Sequence, residues 1–532
     1  MRRDPVFTAL TNMRPNLLSY ILLFLTSTVS PLWSTAEEIE IAADNTQQTP
    51  QPSPTPVIVR ACAGERSEGY KDSLQIVNIG KRQQYSSYES ATFDTDINSP
   101  KSAIFSPDGK YIYINSLEGC RTVKYEAATL TKAGVIRYNF PSGKGKLWAA
   151  PSEYYPFTHY PEGRSRSFSG KPVEMAWSHG GRYLWVPFYR RTFDLNAQDP
   201  SAIAVIDVGT DSIVRMFDTG PLAKMVAVSP DSKTVAVTHW GDNTIGLINI
   251  SSDKMDEWHH MAPLTIGSKL NLNYSLTTPV NRDSNSGYAL RGTIFTPDGK
   301  WLLVSGMGGP LSIIDVEKHK VIGSTNEAYA IRHLATDGKY VYGSCNSSGM
   351  IIRFELDSLI NSAIEKTQSA GKLRLGKIDR YKIGKSARTI DLSPDNKYLF
   401  IADNLGSQVI VVKTQTMQVI DRIKADSYPV GLALSPDGRF MAVTSQGRKG
   451  GGNAVNFYEI VRNDYPASTH ADTASSASPI PTTSDVLHFP ETETTATESI
   501  LMNTIGSTTF YLILSVAILS LFFLIRFSFR KK

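Results

Sequence analysis

Between residues 70 and 462 the chain alternates short apolar runs with polar turns, and one phrase of this pattern recurs. An apolar strand leads into a Ser-Pro-Asp-Gly turn and then into a second strand, as in residues 103–114, AIFSPDGKYIYI. Ser and Asp side chains hydrogen-bond the local backbone, proline fixes φ, and glycine or asparagine accepts positive φ. The turn recurs seven times, beginning at Ser106, Ser178, Ser229, Thr296, Ala335, Ser393 and Ser435.

A third apolar strand follows the turns and, except in the last repeat, a fourth, as in residues 202–207 and 419–423. Four antiparallel strands per repeat predict an all-β fold, a seven-bladed β-propeller with four-stranded blades, rather than an open β-solenoid. Blade seven lacks a fourth strand after residue 460, and the strand-like segment 74–79 is expected to supply it and close the ring. Three insertions interrupt the repeats, at residues 140–170, 251–288 and 356–378.

The N-terminus predicts export. Three arginines precede the apolar run 17–25, and the small residues Ser34-Thr35-Ala36 follow it, so residues 1–36 are expected to be a signal peptide. A retained signal anchor is the alternative. Residues 37–58 are rich in Gln, Pro and Thr and are predicted to be a disordered linker.

The C-terminus predicts a membrane anchor. Residues 505–525 carry no charge and are long enough to cross a hydrocarbon core of about 30 Å as one transmembrane helix. The basic tail 526–532 is expected to be cytoplasmic, and the Ser/Thr/Pro-rich segment 463–504 to be a stalk. The propeller, residues 59–462, would then lie outside the cytoplasm, in the periplasm or at the cell surface. A sorting signal removed by a transpeptidase is the alternative.

The repeat also carries a family resemblance. Residues 393–404, SPDNKYLFIADN, resemble the YVTN repeat of bacterial surface and periplasmic propellers, and the resemblance extends over roughly residues 70–462. It implies the propeller fold. It does not imply one function, because such propellers serve as adhesins, ligand sensors and occasionally enzymes.

Composition narrows the functional classes. The net charge of +5 over 532 residues argues against a nucleic-acid binder, whose basic residues would cluster in runs. Cys62, Cys120 and Cys345 form no CxxC pair, so they are expected either to form one disulfide with one free thiol or to remain inert thiols. We find no catalytic motif and expect no metal site and no cofactor.

The repeat places basic residues around the channel. Five residues before each turn, at the start of the innermost strand, four of seven positions are basic, and Arg332 lies two residues from the blade-five position, Ala330. The loops that join strands two and three lie on the same face and add further polar residues. The predicted ligand-binding residues at the channel mouth are Lys101, Arg190, Arg191, Lys224, His239, Trp240, Asp242, Asn243, Arg291, Arg332, His333 and Arg388.

Two interpretations of this mouth remain open. The cations attract an anionic ligand, or they pair with acids of neighbouring blades, for which Glu174, Asp242, Asp391 and Asp403 are available. The aromatic segments 148–160 and 258–260 either stack on sugars or pack over the sheet edges.

The sequence therefore predicts a membrane-anchored binding module for an anionic or glycan-like ligand or a protein partner. One alternative is a lactonase-like hydrolase or the propeller partner of a dehydrogenase, with His239, Asp242, His333 and Glu174 as acid/base candidates. The other is a structural component of a surface layer.

Overall fold

The structure is a computed structural model that describes residues 58–69, 74–84, 92–142, 145–368, 377–447 and 453–463. These residues fall within one compact unit, Met1–Pro466, and the second unit, Ala467–Lys532, lies outside the described residues. The predicted signal peptide, stalk, transmembrane helix and basic tail also lie outside them, apart from residue 463. No helix within the described part of the chain has both the length and the apolar character needed to cross a bilayer.

Seven four-stranded antiparallel sheets form the described fold, so the predicted seven-bladed propeller is confirmed. The strands of blades 1 to 3 are β2 (Pro100–Phe105), β3 (Tyr111–Ser116), β4 (Arg121–Glu126), β5 (Lys132–Arg137), β8 (Ala176–Ser178), β9 (Tyr183–Phe188), β10 (Ser201–Asp207), β11 (Ser212–Thr219), β12 (Ala223–Val228), β13 (Thr234–His239), β14 (Thr244–Asn249) and β15 (His259–Thr265). A two-stranded sheet, β6 (Asn139–Phe140) and β7 (Phe168–Ser169), lies between blades 1 and 2 in the chain.

The strands of blades 4 to 7 follow the same order, from the innermost strand outward. They are β16 (Leu290–Phe295), β17 (Trp301–Gly306), β18 (Pro310–Asp315), β19 (Lys320–Tyr329), β20 (Ile331–Thr336), β21 (Tyr340–Cys345), β22 (Met350–Glu355), β23 (Ile378–Lys382), β24 (Ala387–Leu392), β25 (Tyr398–Asp403), β26 (Gln408–Lys413), β27 (Gln418–Lys424), β28 (Pro429–Leu434), β29 (Phe440–Ser445), β30 (Ala454–Arg462) and β1 (Leu74–Gln83).

The ring closes through its first strand. β1 pairs antiparallel with β30 as the outermost strand of blade 7, which confirms the closure expected from residues 74–79. Leu74 and Ile76 pack with Tyr398 and Phe400 of blade 6, so the closing strand also builds the interface between blades. An open solenoid is therefore excluded.

The middle strands are buried on both faces because each blade packs between two others. All six residues of β9 and of β25 are buried, whereas the outer strands β15 and β23 are partly exposed. This explains why the second strands appear in the sequence as nearly continuous apolar runs rather than as an alternating pattern.

The turns between strands one and two form as the residues predict. Ser106 Oγ donates to Asp108 Oδ1 at 2.6 Å and accepts the Tyr111 N–H at 2.9 Å, while Gly109 takes φ +72°. The same side-chain bond recurs in four further turns, Ser229–Asp231, Thr296–Asp298, Ser393–Asp395 and Ser435–Asp437.

These turns lie on one face of the ring, here called the turn face. The loops that enter the inner strands and those that join strands two and three lie on the opposite face, the mouth face. The insertion predicted at 251–288 contains β15, so its two parts lie on opposite faces. The insertion at 356–378 begins with a helix, α1 (Leu356–Gln368), whose buried residues Leu359, Ile360 and Ala363 pack beside blades 4 and 5.

None of the three cysteines forms a disulfide, so the expected disulfide does not occur. Cys345 is buried at the end of β21, and Cys62 and Cys120 are half-buried. Burial raises the pKa of the Cys345 thiol to about 11, so this thiol stays protonated near neutral pH.

Candidate anion site in the central channel

A bulge repeats near the start of the inner strands. In six of the seven blades the strand pairing shifts register directly after the first paired residue. The next residue enters the bulge, and a bulge re-aims a side chain away from the regular ladder. The residues at this position are Lys101, Lys224, Arg291, Arg332, Arg388 and Val430.

In blade 5 the residue at this position is Arg332, not Ala330 as counted from the sequence. Its turn is closed by a bond from the Asp337 N–H to the Tyr340 carbonyl, whereas in blade 1 the Ser106 N–H reaches Tyr111. The blade-5 turn is therefore two residues shorter, and the counted position shifts from Ala330 to Arg332. Five cations thus share one structural position, and we call Lys101, Lys224, Arg291, Arg332 and Arg388 the basic ring.

Glu174 of blade 2 meets this ring in the channel. Its Oε1 lies 3.4 Å from Nη2 of Arg291 in blade 4. Blades 2 and 4 are not neighbours, so the two side chains meet by reaching inward. Lys101, Lys224 and Arg388 also lie close enough to favour the charged form of Glu174.

The basic ring is desolvated. Each of its five side chains is buried, and Glu174 forms an ion pair with one of them, Arg291. Burial raises the pKa of Glu174, and Arg291 and the other cations oppose that shift. Charges buried in this way are stable only when they are compensated.

His333 lies next to Arg332 on the same strand. Burial lowers its pKa to about 4, and the nearby charges of Arg291 and Arg332 act in the same direction. The imidazole is therefore neutral at pH 7. Its Nδ1 is buried and has no hydrogen-bond partner among the described residues.

His239 and Asp242 form a separate, self-contained network in blade 3. Nε2 of His239 accepts the Gly220 N–H at 3.0 Å, and its Nδ1 lies 2.7 Å from Oγ1 of Thr244. The Thr244 hydroxyl donates to Asp242 at 2.6 Å, so the imidazole must donate to Thr244. Burial lowers the pKa of His239 to about 3 and raises that of Asp242 to about 6. Both side chains are occupied by structural bonds rather than presented to the channel.

Arg191 lies away from the channel, contrary to its predicted place at the mouth. Its guanidinium bonds the Pro200 and Ser201 carbonyls and pairs with Asp218 of the outer strand β11 at 2.7 Å. Burial lowers its pKa to about 10. Arg190 is half-buried, and its Nη1 donates to the Leu195 carbonyl.

Trp240 and Asn243 lie on the mouth face. Lys224 Nζ is 5.2 Å from the centre of the Trp240 ring, so Trp240 adjoins the basic ring. Asn243 accepts the Tyr288 N–H and donates to the Ser268 carbonyl, which fixes the loop between blades 3 and 4.

The aromatic segments pack inside the protein. Trp258 stacks on Trp185, and Tyr155 contacts the rings of His239 and His260. Trp258 and Tyr155 therefore fit the interpretation in which these segments pack over the sheets rather than stack on sugars.

Comparison with known proteins shows which proteins the chain resembles. Residues 222–464 match the family described as "Lactonase, 7-bladed beta-propeller". The chain is 25% identical over 250 residues to hydrazine synthase subunit beta of Kuenenia stuttgartiensis, covering 40% of this chain and 59% of that protein. It is 26% identical over 181 residues to antigen Lp49 of Leptospira interrogans, covering 29% and 36% of the two chains. The chain thus spans less than two thirds of either curated relative.

Solved structures resemble the fold. Hydrazine synthase of Kuenenia stuttgartiensis aligns with a TM-score of 0.46 at 16% identity, covering 70% of this chain and 97% of the other. The β-propeller domain of Cps50 (Swd1) from Myceliophteria thermophila aligns with a TM-score of 0.47 at 13% identity, covering 68% and 98%. The YVTN resemblance remains a prediction from the sequence.

Proposed function

We propose that the propeller is a binding module that takes an anionic ligand at its basic ring. The convergence of buried cations carries this proposal: five blades each place a Lys or Arg at one structural position, and four of these cations act on Glu174 in the channel. Cations that converge in a site where water screens poorly attract an anion from solution. The bulge holds each cation on a rigid strand, so the site is organised before the ligand arrives.

The predicted anchor supports a location outside the cytoplasm. The apolar segment 505–525 and the basic tail after it would hold the propeller at a membrane, with the stalk 463–504 as spacer. We propose that the ligand is met in the periplasm or at the cell surface.

Titration of the full chain in detergent with inorganic phosphate, sulfate, citrate and benzoate tests the binding proposal. Isothermal titration calorimetry should detect at least one of these anions, with affinity that falls as salt rises. Lys224→Gln or Arg291→Gln should weaken that affinity by roughly one to two orders of magnitude, because each removes a charged hydrogen-bond donor.

Lys233→Gln is the matched control, because Lys233 lies in the same blade as Lys224 but exposed on the turn face. It should leave the affinity unchanged. Glu174→Gln should strengthen binding, since it removes the negative charge that repels the anion. If no anion binds and Glu174→Gln only destabilises the fold, the ring is a salt-bridge device and the proposal is wrong.

A lactonase-like hydrolase is the second candidate. The match of residues 222–464 to a family described as lactonase favours it. However, Glu174, the acidic group at the centre of the ring, lies outside the matched segment, and His239 is fully occupied. Release of acid from δ-valerolactone in a pH-stat, abolished by Glu174→Gln, would favour hydrolysis over binding alone.

A protein partner is a third possibility. One relative is named as a subunit, hydrazine synthase subunit beta. A partner whose acidic side chain enters the ring would be attracted by the same cations.

A further inference from the structure

A second ring of equivalent positions lies above the basic ring. The residue that follows strand two of each blade lies at the mouth. In six blades its backbone N–H donates to the carbonyl of the residue just before the inner strand, or, in blade 2, just before the isolated bridge that precedes that strand. From blade 1 to blade 7 these residues are Leu117, Tyr189, Trp240, Met307, Asn346, Asn404 and Gln446.

This upper ring is divided by polarity. Its members in blades 1 to 4 are apolar or aromatic, and its members in blades 5 to 7 are carboxamides. Tyr189, Trp240 and Met307 belong to one apolar cluster with Leu222 and Ala289, and we call these three side chains the aromatic arc.

The aromatic arc adjoins the basic ring directly. Lys224 Nζ lies 4.0 Å from the centre of the Tyr189 ring, a cation–π distance, and 5.2 Å from that of Trp240. The Sδ of Met307 lies 3.9 Å from Nη1 of Arg332. The apolar side chains of the aromatic arc and the cations of the basic ring are therefore in contact on one side of the channel.

Two buried polar atoms of the upper ring have no hydrogen-bond partner among the described residues. One is the indole Nε1 of Trp240, whose residue is 6% exposed, and the other is Oδ1 of Asn346, which is 8% exposed. A buried polar group that lacks its bond costs stability. One donor and one acceptor on the two halves of the mouth thus suit a ligand with polar groups of its own.

We propose that the mouth selects an organic anion with a flat apolar body over an inorganic anion. The anionic group would pair with the basic ring, and the body would lie against Tyr189, Trp240 and Met307. The inference rests on the proposed function, because it assigns the ligand class of that site. An inorganic anion would make no use of the aromatic arc, and an uncharged sugar would make none of the basic ring.

Phenyl phosphate and inorganic phosphate form the test pair, since they share the phosphate group and differ in the ring. Calorimetric titration of the full chain should give an affinity for phenyl phosphate at least roughly tenfold higher, from burial of the apolar ring. Phenol, which has the ring without the phosphate, should bind far more weakly than phenyl phosphate.

Variants of the aromatic arc test whether these side chains cause the preference for phenyl phosphate. Tyr189→Ala and Met307→Ala should each lower the affinity for phenyl phosphate several-fold while leaving that for inorganic phosphate unchanged. Trp240→Phe keeps most of the packing, removes the indole N–H, and serves if Trp240→Ala fails to fold. Leu405→Ala is the control, because Leu405 is an exposed apolar residue on the same face in blade 6.

The outcomes separate the two proposals. Equal affinity for both phosphates overturns the ligand class and leaves anion binding in place. A preference for phenyl phosphate that no arc variant changes, or that Leu405→Ala changes equally, also overturns it. If neither phosphate binds, this inference is overturned; if sulfate, citrate and benzoate also fail to bind, the proposed function is removed with it.

Discussion

At the residue scale, Asp391 shows how the channel region handles buried charge. It lies on the inner strand of blade 6, three residues after Arg388, and accepts the backbone N–H groups of Leu392 and Leu434 at 3.0 and 2.9 Å. These bonds favour the charged form, but burial outweighs them and raises its pKa from 3.8 to about 6. Asp391 therefore binds its proton in the folded protein over a pH range in which the unfolded chain releases it.

Asp391→Asn should flatten the dependence of stability on pH. Between about pH 4 and pH 6 the native state holds more protons at this site, so the free energy of unfolding falls as pH rises. Titration of Asp391 lowers the free energy of unfolding by about 3 kcal/mol in total across this pH range. The variant lacks this slope, although the loss of one acceptor lowers its absolute stability. Urea denaturation at several pH values measures the difference.

The exposed change Asp253→Asn, in blade 3, is the control for that series and should keep the wild-type slope. If the curves of Asp391→Asn and of the wild type run parallel from pH 4 to pH 6, Asp391 does not titrate as described.

Some residues of the site were predictable from the sequence, and others were not. The basic positions before each turn were predictable because a repeat carries one geometry from blade to blade. Counting back from the turn gave Ala330 instead of Arg332 in blade 5, because the turn of that blade is two residues shorter. Such a shortening is visible only once the strand pairing is known. Arg191 and His239 carry the residue types of a ligand site, yet Asp218 and Thr244 occupy them. Which partner a side chain finds depends on contacts between segments distant in sequence.

At the element scale, β1 completes blade 7. Ile76 is completely buried between Tyr458 and the core of blade 6, whereas Val461 on the partner strand is 42% exposed. Burial alternates at the two ends of β1, residues 74–76 and 80–83, as expected for an outer strand with one packed face, but not in between, where residues 76–78 are all buried. The closing strand was predictable because blade 7 visibly lacked a fourth strand. Helix α1 was not, since a 13-residue helix within an insertion breaks no repeat.

Ile76→Ala should reduce the free energy of unfolding by about 2–5 kcal/mol, because it leaves a cavity at the blade 6–blade 7 interface. Val461→Ala removes apolar atoms from the partner strand but should cost less than about 0.5 kcal/mol at its exposed site. Chemical denaturation of both variants measures the two losses. Equal and small losses would show that β1 does not close the ring.

At the scale of the whole molecule, the described fold is a closed ring whose mouth is divided by polarity. The propeller follows from the repeat alone. The location rests on residues 1–36 and 505–525, whose composition predicts export and anchoring. The ligand class required the structure, because the upper ring combines residues from seven loops that share no sequence motif.

Protease added to intact cells or spheroplasts tests the predicted topology. It should release a soluble fragment that ends within residues 463–500, because a stalk rich in Ser, Thr and Pro is cleaved more readily than a packed propeller. Mass spectrometry of the released fragment gives the cleavage site. A propeller that becomes accessible only after lysis would place it in the cytoplasm.

Closure through β1 also sets the order of events during synthesis. The hydrogen bond between Asn78 and Asn456 joins residues 378 positions apart, so the ribosome completes one partner roughly 20 to 75 s after the other. During that interval the edge of β1 that will pair with β30 is open on the nascent chain, and the ring cannot form before residue 462 has emerged. Two chains made side by side can exchange their first strands in this interval, because β30 of either chain offers β1 the same register. Crowded synthesis therefore raises the share of strand-swapped dimers above that formed in dilute synthesis.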